Sequence, residues 1–239
     1  CAGGGEWRGE GAERPSADQP VTTEARRVAR SHVELGTAYL SAGRFGTAME
    51  EARLAVRIDP SYAPAHHLLG QVYVHLDENP QAQSAFERAL SLAPGDPELS
   101  NTFGWFLCAT GHEKEGLAWL AKSAANPFYD SPTRPHTNSG LCYLRLKNDE
   151  AAASSFARAL VLDNRNATAA YNLAAIAYRK GEFQHARDMV TELNRSENPT
   201  AESVWLGLRV EHKLGNREAE ASYVAQLRKG FESSQQYQD

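Results

Sequence analysis

The chain has 239 residues, 41% of them hydrophobic and 9% aromatic, which is enough apolar material for a sizeable core and excludes a natively unfolded polypeptide. Its 25 Lys and Arg against 30 Asp and Glu leave a net charge of −5, interspersed along the chain; that excludes the basic stripe a nucleic-acid partner needs. There is no run of 18 apolar residues, so no transmembrane helix is expected.

The first stretch, 1–23, is Gly-rich, polar and aperiodic behind Cys1, and reads as a flexible tether. Cys at position one followed by such a tether resembles the mature start of a bacterial lipoprotein. That class carries diacylglycerol on the cysteine sulfur and an acyl chain on its nitrogen. The alternative is a chain that begins at a cysteine by chance. Several acyl chains make a stable anchor where one gives only marginal binding. Ala2, where Asp would mark inner-membrane retention, points to the outer membrane. As a random coil the tether would span roughly 25 Å.

From there the text repeats. Leu35, Gly36, Tyr39, Ala48, Ala55 and Pro60 recur one period later as Leu69, Gly70, Tyr73, Ala82, Ala89 and Pro94. This is the tetratricopeptide pattern, a helix–turn–helix of 34 residues in which small residues let two antiparallel helices approach and aromatics fill the space between them. The first repeat covers about 29–62, with Gly43 at its turn, and the second 63–96, where Asp77-Glu78-Asn79-Pro80 replaces the glycine corner. The third, 97–132, is degenerate: Gly116 and Leu120 replace the usual Ala and Phe, and a proline-rich insertion occupies 126–135. The pattern returns in 133–166 and 167–200 and weakens in 201–231, as a terminal repeat should, and 232–239 is expected to fray. The predicted architecture is all-α, a right-handed superhelical solenoid of about six repeats.

No catalytic constellation emerges. His112-Glu113-Lys114-Glu115-Gly116 begins like a zinc-protease helix but lacks the second histidine. His66 and His67 are adjacent and so face different sides of a helix; no metal-ligand spacing, phosphate loop or nucleophile elbow is present. No cofactor, metal or small-molecule substrate is expected, and the chain reads as non-enzymatic. Cys108 and Cys142 fall in first helices of consecutive repeats, which are neighbours in such a stack. Their side chains could meet and pair in an oxidising compartment, adding roughly 3–4 kcal/mol by closing a loop of about 34 residues. A disulfide is the favoured reading, and the alternative is a pair of small buried thiols.

First helices line the concave face of a solenoid, where an extended peptide or helix of a partner docks. Extrapolated register places Val33, Leu40, His67, Gln71, Val74, Asn101, Trp105, Leu141, Leu144, Tyr171 and Tyr178 there. The set is mostly apolar and aromatic, and favours a hydrophobic partner segment over a carboxylate. Asn101, Asn138, Arg145 and Arg179 are too dispersed for a clamp on a C-terminus.

Asn101-Thr-Phe-Gly-Trp-Phe-Leu-Cys108, then Asn126-Pro-Phe-Tyr and Asn138-Ser-Gly-Leu-Cys142, with Val204-Trp-Leu-Gly-Leu-Arg209 near the end, resemble the type IV pilus biogenesis lipoproteins of the PilF/PilW kind, best the cysteine-containing neisserial branch. The resemblance spans nearly the whole chain. It implies a lipid-anchored protein on the periplasmic face of the outer membrane of a Gram-negative bacterium, and the chain is expected to be monomeric. It also implies a role in localising or multimerising the secretin PilQ and in pilus stability, with Cys108 and Cys142 as a disulfide. The long Gly-rich tether departs from that pattern. The competing reading is another periplasmic repeat scaffold, for example for cell-wall enzymes.

Overall fold

The computed structural model describes residues 12–195, 199–231 and 234. Cys1 and the 232–239 tail, apart from Ser234, lie outside them. The described elements are all helical and pair into antiparallel hairpins, the all-α tetratricopeptide fold. The chain divides into two compact units, residues 1–138 and 139–239.

Unit 1 contains α1 (Glu24–Ser41), α2 (Phe45–Ile58), α3 (Ala63–His75), α4 (Asn79–Leu92), α5 (Pro97–Ala109), α6 (Glu113–Ala124) and the start of α7 (Thr133–Arg145). Local chemistry starts and stops each helix. Thr23 caps α1 by accepting from the Arg26 amide, and Asp96 caps α5 by accepting from the amides of Glu98 and Leu99, with Pro97 at the first turn where no amide is needed. The hairpin turns need a left-handed residue. Gly43 and Gly111 supply it at φ +71° and +89°, whereas Asp77 takes it at φ +57° in the corner that lacks glycine.

The core of this unit runs between α3 and α6. Phe86 lies 5.3 Å from Phe106 and Phe103 lies 5.6 Å from Trp119, ring to ring, over Ala82, Ala89 and Leu107. Gly70 is there because Phe86 is: a Cβ at Gly70 would stand 2.6 Å from the Phe86 ring. The degenerate third repeat is not loosely packed. Gly104 and Gly116 face each other, so that α5 and α6 meet backbone to backbone, and Leu120 fills the adjoining volume with no exposed surface.

The 1–23 stretch, expected to be a tether throughout, is docked where it is described from Glu13 to Asp18. Ser16 is buried, in a short 3-10 turn over Ser16–Asp18; its amide and hydroxyl both donate to Asp96 Oδ2, at 2.7 and 2.5 Å. Asn126 Nδ2 donates to Glu13 O at 3.0 Å, and the Arg14 guanidinium stands 5.5 Å over the Phe128 ring. The buried Asp96 carboxylate supplies the reason, because its second oxygen needs donors that α5 does not provide.

Unit 2 holds the rest of α7, α8 (Asp149–Leu162), α9 (Ala167–Arg179), α10 (Phe183–Asn194), α11 (Ala201–Leu214) and α12 (Arg217–Gly230). Phe156 against Gly140 and Tyr223 against Gly207 repeat the Phe86–Gly70 arrangement. Lys147 adopts the left-handed corner at φ +56°, and Thr200 with Ser203 forms a capping box at the start of α11. Val190, Val204 and Val210 are fully buried between the last hairpins.

Candidate protein-binding face

In unit 1 the first helices bring a polar cluster together. Arg134 Nη1 at the start of α7 donates to both carboxylate oxygens of Glu98 on α5, at 2.8 and 2.7 Å. The Tyr129 hydroxyl, delivered by the proline-rich insertion, donates to Glu98 Oε2 at 2.8 Å. Asn138 Nδ2 donates to Asn101 Oδ1 at 3.0 Å. His67 on α3 leans on Phe86, ring centroids 6.0 Å apart. Its Nε2 is buried without a hydrogen-bond partner, which among the described residues is true of only one other buried side-chain atom, Glu211 Oε2.

The electrostatics follow from burial and pairing. Burial works to raise the Glu98 carboxyl, but the Arg134 charge and the bonds from Tyr129 and Arg134 outweigh it and hold the group below the usual carboxylate range. Burial pushes His67 below the usual histidine value against the pull of Glu98 and Asp96. Burial, with the Glu98 charge, pushes the Tyr129 phenol up. The cluster therefore presents a neutral imidazole beside a satisfied ion pair. It offers hydrogen bonding and an aromatic floor; no nucleophile stands against a base in it. Among the described residues no trio of His, Cys, Asp or Glu is placed to hold a metal, and no helix is long and apolar enough to cross a membrane.

The other residues assigned to a concave face are divided between roles. Gln71 and Trp105 are half-buried and Val74 is exposed, so these three are open to a partner beside His67, whereas Asn101, expected in the groove, is buried and engaged by Asn138. Val33 and Leu40 pack against the α2–α3 core, part of their surface remaining open. In unit 2, Leu141 and Leu144 pack on Ala152 and Phe156, and Tyr171 and Tyr178 pack on the α9–α11 core. Tyr178 is further engaged, 5.5 Å from the Phe183 ring and with the Arg209 guanidinium 4.6 Å over its face. Cys108 and Cys142 are both fully buried, and both are disulfide-bonded. Sequence reasoning missed Glu98, Tyr129 and Arg134. The insertion that carries Tyr129 was visible, but nothing in it said that the tyrosine folds back onto α5.

The sequence of residues 39–101 matches the tetratricopeptide repeat family model. Beyond that segment, the chain is 29% identical over 227 residues to the type IV pilus assembly protein PilF of Pseudomonas aeruginosa, covering 94% of this chain and 90% of that protein. The solved structure of the type IV pilus biogenesis factor PilW superposes with a TM-score of 0.80 at 28% identity, over 89% of this chain and 97% of that one. That of P. aeruginosa PilF gives 0.81 at 27% identity, over 90% and 97%. This chain is similar to PilF and PilW over most of its length, in a tetratricopeptide fold. At about nine-tenths of the chain, the likeness takes in parts of both units.

Proposed function

We propose that the chain is a non-enzymatic adaptor of type IV pilus biogenesis, anchored through lipid on Cys1 to the periplasmic face of the outer membrane. The observation that carries this reading is the likeness to PilF and PilW over about nine-tenths of the chain. In this reading the face around His67, Gln71, Val74 and Trp105 binds a hydrophobic segment of a partner, the secretin PilQ or another protein of the pilus machinery. Cys108 and Cys142 pair with each other. The lipid anchor concentrates the adaptor where secretin subunits arrive, so that modest groove affinity suffices for assembly.

The test compares cells lacking the protein with cells expressing the native chain or Cys1→Ala. Secretin multimers are read in unboiled membrane fractions and pili on the surface. Loss of the high-mass secretin band places the action at secretin assembly; an intact band with few or unstable pili places it on the fibre. Cys1→Ala is expected to fold and to leave the outer-membrane fraction. Normal secretin and normal pili in cells lacking the protein would overturn the pilus reading, and leave another periplasmic repeat scaffold.

A further inference from the structure

The segment Glu13–Asp18 touches both supports of the Glu98 cluster. On the α5 side, the two oxygens of Asp96 are divided between roles. Oδ1 accepts from the amides of Glu98 and Leu99, at 2.8 and 3.1 Å, and so caps the helix turn that carries Glu98. Oδ2 accepts from the Ser16 amide and hydroxyl, at 2.7 and 2.5 Å. On the other side, Asn126 anchors the proline-rich insertion. Its Nδ2 is shared between Glu13 O, at 3.0 Å, and Gly95 O, at 2.9 Å, while its Oδ1 accepts from the Phe128 amide at 2.8 Å. The Arg14 guanidinium covers the Phe128 ring, and the next residue is Tyr129, the hydroxyl donor to Glu98.

The segment thus holds a residue beside each partner of the Glu98–Tyr129 bond. Its 3-10 turn also packs against α3, the helix that carries His67. Asp96 is only 1% exposed, so a departing Ser16 would leave Oδ2 buried without either of these donors. A buried carboxylate oxygen in that state is strongly disfavoured, and it regains donors by turning toward water. The cap on Glu98 and Leu99 turns with it, because both oxygens belong to one rigid group. Asn126 loses the Glu13 acceptor in the same step, and Phe128 loses its cation.

We infer that Glu13–Asp18 is a strap that regulates the His67–Glu98 face. Docked, it holds the start of α5 and the insertion in the arrangement that brings Tyr129 and Arg134 onto Glu98. Withdrawn, it loosens both. Coupling of this kind is reciprocal, so whatever tightens the cluster also holds the strap, and whatever draws the strap away weakens the cluster. That the face meets a partner rests on the function proposed above; the coupling between strap and cluster does not.

The test follows amide hydrogen exchange by NMR in the full chain and three variants of it. Ser16→Glu sets a second carboxylate against Asp96 and expels the strap. Ala17→Glu adds the same charge at an exposed position and leaves the strap docked. Tyr129→Phe removes one hydroxyl, the donor to Glu98. Ser16→Glu is expected to speed exchange of the Glu98, Leu99, Phe128 and Tyr129 amides by about tenfold or more, with Ala52 in the middle of α2 changed by less than about twofold. Ala17→Glu is expected to keep all five at native rates. Tyr129→Phe is expected to speed the Ser16 amide by about threefold or more, the reciprocal effect. A rise confined to residues 13–18 in Ser16→Glu, the same rise in Ala17→Glu, or a Ser16 amide unchanged by Tyr129→Phe would overturn the inference. If Ser16→Glu unfolds the whole chain, seen as an equal rise at Ala52, the Tyr129→Phe result decides alone. Normal pili in cells lacking the protein would remove the proposed partner without altering any of these rates.

Discussion

Gly104 and Gly116 carry the third repeat. A Cβ at Gly116 would stand 2.5 Å from Gly104 O and 2.6 Å from Cys108 Sγ, and neither the backbone nor a buried disulfide sulfur can step aside. Gly116→Ala is therefore expected to destabilise the chain by about 2–3 kcal/mol, the range of overpacking in a tight core. Thermal unfolding of the variant beside Gly46→Ala, where no atom lies within 4 Å, separates packing from helix propensity. Equal melting temperatures for the two variants would remove the close-packing account. Lys147 shows the opposite economy: it holds a left-handed corner that glycine holds at Gly43, Gly111, Gly181 and Gly215. The fold tolerates the roughly 1–2 kcal/mol strain because the rest of the hairpin determines the turn.

Among the elements, the docked segment Glu13–Asp18 alters the expected picture most. It joins the α4–α5 turn to the end of α6 through Asp96 and Asn126, residues that lie a hundred or so positions further along the chain. The Ser16 hydroxyl donates to a buried carboxylate, a bond whose loss costs about 1.5–3 kcal/mol. Ser16→Ala should raise amide exchange through residues 13–18 and lower the melting temperature. Asp96→Ala should cost more, because it also removes the cap of α5. Unchanged exchange in Ser16→Ala would mean that the main-chain bonds hold the segment unaided.

Acidification reaches the whole chain through the His67–Glu98 cluster, and its two groups act in the same direction. His67 titrates below its ordinary value of 6.5, so beneath that pH the unfolded chain takes a proton that the folded chain does not, and stability falls. Glu98 lies below its ordinary value of 4.5; its contribution is complete above that pH and is lost as pH falls through the depressed value. Melting curves should therefore decline in two stages. His67→Leu is expected to flatten the first. Glu98→Gln is expected to be about 1–3 kcal/mol less stable at neutral pH, and to draw level with the native chain once the pH has fallen through the depressed Glu98 value. A gap that persists in acid would show that Glu98 acts through packing alone.

The sequence by itself determined the hairpins. Small residues at Gly70, Ala82 and Ala89 and a breaker at Pro94 repeat Gly36, Ala48, Ala55 and Pro60 one period earlier, and each acts within one hairpin, where spacing along the chain is spacing in space. The relation to PilF and PilW was legible for the same reason, in segments such as Asn101 to Cys108 that break the generic pattern. Only the tertiary structure decided where Glu13–Asp18 lies and that Tyr129 and Arg134 converge on Glu98. Those contacts join residues far apart in the chain, and a periodic pattern carries no record of them.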